Sequence, residues 1–115
     1  MFSAVAVKIG MPFHASVASA KAAVEGLTRS LAAEFAPRIR VNAIAPILTD
    51  TPLAKTLLSS EERQKTSAER HPLKRIGTPQ EIAGLACHLV GGEGSWITGQ
   101  ILHVDGGMSS VRVFS

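Results

Sequence analysis

The run Ile39-Arg40-Val41-Asn42-Ala43-Ile44-Ala45, closed by Pro46, decides the fold. It is short, rich in β-branched and small apolar residues, and bounded by proline, the pattern of a strand buried within a sheet. Working back from it, Pro37 ends a helix predicted from about Ala15 to Phe35, in which Ala20, Val24, Leu27, Leu31 and Phe35 recur at helical spacing and are expected to face the core. Ala15, Ala18, Ala22, Gly26 and Ala33 gather on another face, smooth enough for a helix of a partner subunit to approach closely. Ahead of the helix, Phe2 to Val7 reads as a short apolar strand, and Lys8 to Pro12, broken by Gly10 and Pro12, as a loop. Strand, helix and strand in that order form a βαβ unit, whose parallel strands need the crossover that the long helix supplies.

Working forward, the stretch from Ile47 to Lys74 predicts a short helix near Leu53 to Leu58 and a second from about Glu61 to Arg70, announced by Ser59 and Glu62 at capping-box spacing. A helix-bearing excursion off a strand end commonly covers a site. Thr78-Pro79-Gln80-Glu81 opens another helix, with Thr78 as N-cap, Pro79 at the first helical position and Glu81 reaching back to the cap. Gly91 and Gly92 stop it, and Gln100 to Val104 reads as a last strand between Gly99 and Asp105-Gly106-Gly107. The whole predicts an α/β fold over residues 1–115: one partial domain, the C-terminal half of a doubly wound parallel sheet of Rossmann type, with about three strands and flanking helices.

Composition narrows the function. The chain has 115 residues and 45% hydrophobic content, enough for one core. No apolar run approaches the roughly 18 residues of a membrane span, and no charged N-terminal region with a cleavage site appears, so a cytoplasmic location is expected. The net charge of +3 comes from dispersed groups such as Lys55, Arg63, Lys65, Arg70, Lys74 and Arg75. The phenylalanines are not interleaved with them as single-strand binding requires, which argues against nucleic acid. Cys87 lies in a helical apolar pattern and is expected to be a buried small hydrophobe. No metal site is expected.

Three segments carry a family resemblance. Arg40-Val41-Asn42-Ala43-Ile44-Ala45-Pro46 with Thr51, Arg75-Ile76-Gly77-Thr78-Pro79-Gln80-Glu81-Ile82-Ala83, and Ile97-Thr98-Gly99-Gln100 with Val104-Asp105-Gly106-Gly107 resemble, in order and spacing, the second half of short-chain dehydrogenases/reductases. Any one of them is generic Gly and Pro punctuation; their joint occurrence over nearly the whole chain is not. The resemblance implies hydride transfer between NAD or NADP and a carbonyl or alcohol of a small-molecule substrate. It places Pro46, Ile47, Thr49 and Thr51 at the nicotinamide carboxamide, with Ile47 where the family normally has glycine.

The family uses a tyrosine acid/base, a lysine four residues later that lowers the phenol pKa and grips the nicotinamide ribose, and an upstream serine. Lys21 matches the lysine. The tyrosine position holds Val17, in a chain without any tyrosine, and the serine position falls on Ala4, with Ser3 expected to point the other way in a strand. Neither Val17 nor Ala4 moves a proton. His14, Val17 and Lys21 are spaced three and four apart, so His14 is a candidate substitute acid; the plainer reading is a surface or capping histidine. Lys21 likewise has a plain reading as an exposed helix lysine.

The glycine-rich dinucleotide turn is missing. Gly91-Gly92-Glu93-Gly94 follows a helix and fits a C-cap rather than a phosphate cradle. The expectation is therefore a truncated oxidoreductase-family chain with a degenerate catalytic site, inactive alone. Its expected partners are further copies in a homo-oligomer or a missing N-terminal half, either of which would cover an open sheet edge. The alternative is a binding or assembly module that kept the scaffold and lost the chemistry.

Overall fold

The computed structural model describes residues 1–47 and 59–114. The predicted helix near Leu53 to Leu58 and the candidate residues Thr49 and Thr51 lie outside the described residues. Helix α1 spans Ala15–Phe35, strand β1 Ala43–Pro46, helix α2 Glu61–Arg70, helix α3 Pro79–Val90 and strand β2 Ile101–Val104.

β1 lies at the centre of the described sheet. It runs parallel to β2 in the register Ala43↔Ile101 to Pro46↔Val104, and Ile44 bridges in parallel to Phe2 on its other side. The Ser3 amide donates to the Ile44 carbonyl at 2.8 Å, and the Ile44 amide to the Met1 carbonyl at 2.9 Å. Ala43, Ile44 and Ala45 are accordingly buried, as the sequence pattern predicts for a strand with neighbours on both sides.

Two strand expectations need correction. The segment Phe2 to Val7 pairs only up to Ser3 and then tightens into a 3-10 turn over Val5–Val7. The turn buries the consecutive residues Val5 and Ala6, which the side-to-side alternation of a strand would have split between two faces. The run from Ile39 also enters the sheet late. Ile39 is exposed, and ahead of Ala43 side chains add to the backbone bond from the Gly99 amide to the Val41 carbonyl at 2.7 Å: Arg40 Nη1 donates to the Leu89 carbonyl at 2.7 Å, and Asn42 Nδ2 to the Ile97 carbonyl at 2.9 Å. Asn42 Oδ1 accepts from the Gln100 amide at 3.0 Å, so one side chain stands in for a rung of the ladder.

α1 has its predicted bounds but a rotated inner face. Glu25, Thr28 and Ala32 are buried, and Lys21, Val24, Leu31 and Phe35 flank them; Ala20 and Leu27, expected in the core, are exposed. Apolar periodicity misplaced the face because its most buried members include two polar residues, one satisfied within the helix and one by a residue from the sheet side. Thr28 Oγ1 donates back to the Val24 carbonyl at 2.7 Å, and Ser3 Oγ donates to Glu25 Oε2. The small-residue face is largely open: Ala15, Ala22, Gly26 and Ala33 are exposed and Ala18 is half-buried.

The cap of α2 is shifted by one residue. Ser60 Oγ accepts from the Arg63 amide at 3.1 Å, so the capping box expected from Ser59 and Glu62 does not form. α3 follows its prediction: Thr78 and Glu81 form a reciprocal capping box, Pro79 opens the helix, and Gly91 ends it. Cys87 is exposed rather than buried, because α3 turns Leu89 inward instead. Among the described residues Phe2, Ile39, Leu73, Val90 and Trp96 are all more than half exposed, which leaves much apolar surface uncovered.

Candidate functional site

Parallel α/β sheets bind ligands beyond the carboxyl ends of their strands. Here β1 ends at Pro46, paired with Val104 at the end of β2, and Ile47 follows. A cavity of about 390 Å³ opens there, with Ile47, Val104, Asp105, His71, His103 and Ile82 in its wall. The turn after β2 shapes it. Asp105 Oδ1 accepts from the Gly107 amide at 3.0 Å and Oδ2 from the Ser109 amide at 3.1 Å, while Gly106 and Gly107 adopt positive φ of 60° and 88°. Burial alone would push the Asp105 carboxyl up; contacts with Ser109, the Gly107 amide and His103 outweigh it and hold it below the usual carboxylate range.

His71 is buried, and its Nδ1–H donates to the Ser67 carbonyl at 2.7 Å, which leaves Nε2 as an acceptor in the neutral ring. Among the described residues neither that Nε2 nor the Nε2 of His103 has a hydrogen-bond partner, and both atoms are buried. At the rim the Arg75 guanidinium grips Glu81 through two bonds of 2.7 Å. This pair and the Thr78 amide pull the Glu81 carboxyl down to about 2.

The other candidate residues lie along α1. Lys21 is half-buried, and its Nζ donates to the Phe2 carbonyl at 3.3 Å. Val17 is 46% exposed, one turn before it. His14 occupies the N-cap of α1 without capping it; its Nδ1–H donates to the Pro12 carbonyl at 2.7 Å. His14 and Lys21 share no hydrogen bond, and neither lines the cavity at Ile47. Ala4 is extended with φ −151° and ψ 151° ahead of the 3-10 turn, and Ser3 beside it is buried. Its hydroxyl meets Glu25, a buried carboxylate one turn beyond Lys21.

The Ser3–Glu25 pair and the His71–His103–Asp105 wall were not singled out by sequence reasoning. Glu25 carries a signal in retrospect: it stands at i+4 from Lys21 on the flank that also holds Thr28, so Lys21, Glu25 and Thr28 mark a polar inner stripe. His71 and His103 carry none, because their meeting depends on how the segment after α2 folds over the end of β2. No group of three or more metal-ligating side chains is found among the described residues. No helix among them is long and apolar enough to cross a membrane.

A parallel sheet with its crossover helix, its Gly-rich final turn and its candidate groups at the strand ends defines half of a Rossmann-type α/β domain. A family model described as enoyl-(acyl carrier protein) reductase matches residues 1–109. The chain is 41% identical over 100 residues to 3-oxoacyl-[acyl-carrier-protein] reductase of Thermotoga maritima, a match covering 86% of this chain and 40% of that protein. Among solved structures, aldohexose dehydrogenase of Thermoplasma acidophilum superposes with a TM-score of 0.89 at 37% identity, covering 99% of this chain and 48% of that one. Gluconate 5-dehydrogenase of Burkholderia cenocepacia, solved in complex with NADP and tartrate, gives a TM-score of 0.86 at 30% identity, covering 96% and 44%. The chain belongs to the short-chain dehydrogenase/reductase family. It spans less than half the length of these relatives.

Proposed function

We propose that this polypeptide carries the nicotinamide-proximal half of an NAD- or NADP-linked oxidoreductase acting on a carbonyl or alcohol of a small molecule. The observation that supports it most directly is Lys21, held on the inner flank of α1, whose one hydrogen bond among the described residues goes to the Phe2 carbonyl and leaves ammonium N–H groups for ribose hydroxyls. Pro46 and Ile47 sit at the carboxyl end of the central strand, where the carboxamide would lie, and Thr49 and Thr51 complete that segment in sequence. A bound nicotinamide would supply the hydride.

Proton transfer is the step this chain is least equipped for. Val17 and Ala4 occupy the positions of the family's tyrosine and serine and have no transferable proton. His14 is the substitute this reading offers. With Nδ1–H committed to Pro12, its Nε2 accepts a proton from an alcohol when the ring is neutral and donates one when it is charged. The chain by itself is thus inactive or slow. In this reading residues 1–115 form one partial domain in the cytoplasm, and the uncovered apolar surface and the small-residue face of α1 are closed by further copies or by the missing dinucleotide-binding half.

A second reading, a binding or assembly module without catalysis, is favoured by Val17 and Ala4. Titration of the purified chain with NADH and NADPH, followed by nucleotide fluorescence and thermal stability with Lys21→Ala as control, separates the two. Saturable binding lost in the variant supports the oxidoreductase half. A folded chain that binds neither nucleotide at millimolar concentration sinks it and leaves the module.

A further inference from the structure

Lys21 and Glu25 stand four residues apart on the same flank of α1, a spacing at which an ammonium and a carboxylate reach each other. They do not form an ion pair. The carboxylate is instead engaged by Ser3: Ser3 Oγ donates to Glu25 Oε2, and both residues are buried. Ser3 is itself fixed, since its amide donates to the Ile44 carbonyl at 2.8 Å in the central strand. The Lys21 ammonium sits next door on the carbonyl of Phe2, the residue before Ser3. One short segment, residues 2 and 3, therefore separates two opposite charges that helix geometry alone would pair.

We propose that Ser3 is a positioning residue: by holding the Glu25 carboxylate it keeps the Lys21 ammonium out of an ion pair and available to the ribose hydroxyls of a nicotinamide nucleotide. This rests on the nicotinamide reading of Lys21 given above. In a chain without Ser3 Oγ, the buried carboxylate loses its donor, and the nearest cation able to replace it is Lys21. The ammonium is then shielded and withdrawn from the nucleotide. A purely structural role for Ser3 would weaken folding without this exchange of partners.

The test reads Lys21 in the free chain and then its ligand. Competitive acylation of the native protein, with the Lys21 product quantified by mass spectrometry, is compared in wild type, Ser3→Ala, Ser3→Thr, Glu25→Gln and the double variant Ser3→Ala/Glu25→Gln. Lys21 acylation is expected to slow about threefold in Ser3→Ala, an ion-pair-sized effect. It should return to the wild-type rate in the double variant and stay within about twofold of it in Ser3→Thr. NADH and NADPH affinity should follow the same order. An unchanged rate in Ser3→Ala, or a slowed rate that Glu25→Gln does not rescue, overturns the proposal. If Ser3→Ala does not fold, Glu25→Gln alone decides: a rate within about twofold of wild type is the expected result, whereas a rise beyond about threefold shows that Glu25 already pairs with Lys21 and overturns it. Acylation that follows the prediction in a chain that binds no nucleotide leaves the charge separation standing and sinks only the oxidoreductase reading.

Discussion

Replacing Ser3 by Ala should destabilise the chain by more than its small size suggests. The hydroxyl serves a carboxylate that is only 9% exposed, and removing the donor of a hydrogen bond to a buried charged group costs about 2 kcal/mol. A new Lys21–Glu25 ion pair would return roughly 0.5 kcal/mol, leaving about 1.5 kcal/mol. For 115 residues the unfolding entropy is about 240 cal/mol/K, so the melting temperature should fall by about 6 °C. Urea and thermal unfolding, followed by circular dichroism, read this directly. Ser19→Ala is the control, because Ser19 is exposed and its hydroxyl bonds back to the Ala15 carbonyl within its own helix; it should change stability by less than about 0.5 kcal/mol. Ser3→Ala/Glu25→Leu removes charge and donor together and should lie closer to wild type than Ser3→Ala alone. A Ser3→Ala loss no larger than that of Ser19→Ala would refute the view that a buried, donor-dependent carboxylate joins α1 to the sheet.

Further outcomes follow from the ends of α3 and β2. Thr78→Ala removes the hydroxyl that accepts from the Glu81 amide and should cost about 1 kcal/mol in urea unfolding; no change would mean the cap is frayed in solution. The Glu81 carboxyl, held down to about 2 by Arg75 and the Thr78 amide, contributes stability that is fully present above its ordinary value of 4.5 and is lost as pH falls through about 2. Glu81→Gln should therefore flatten the acid limb of the stability profile, and an unaltered limb would count against the pair. Gly107→Ala forces a side chain onto φ 88° and brings its Cβ within 3.2 Å of Pro72, so a loss of about 2 kcal/mol is expected; a wild-type melting curve would contradict the turn geometry. Cys87 is exposed and should react with a small aromatic disulfide in the native state at the rate of an open thiol, whereas protection until unfolding would place it back in a core.

Periodicity and punctuation made much of the fold legible. The bounds of α1, the start and stop of α3 at Thr78 and Gly91, and a last strand leading into Asp105-Gly106-Gly107 all follow from local preferences that the tertiary structure leaves in place. Where local pattern and packing compete, packing wins. Val5 and Ala6 are apolar and lie in a strand-like run, yet a turn buries both at once. Leu27 looks like core and is exposed, while Thr28 beside it is fully buried because its hydroxyl is satisfied within its own helix.

The sequence alone determined the α/β class, the order of helices and strands, the family, and the absence of a tyrosine four residues before Lys21, because these depend on residue identity and on spacings of a few residues. Only the tertiary structure decided which face of α1 is buried, that Ser3 rather than Lys21 meets the Glu25 carboxylate, and that His71 and His103 gather beside Asp105 at the end of β2. Those outcomes join residues far apart in the chain, and the cost of burying a charge or an imidazole is set by the partner that arrives from elsewhere.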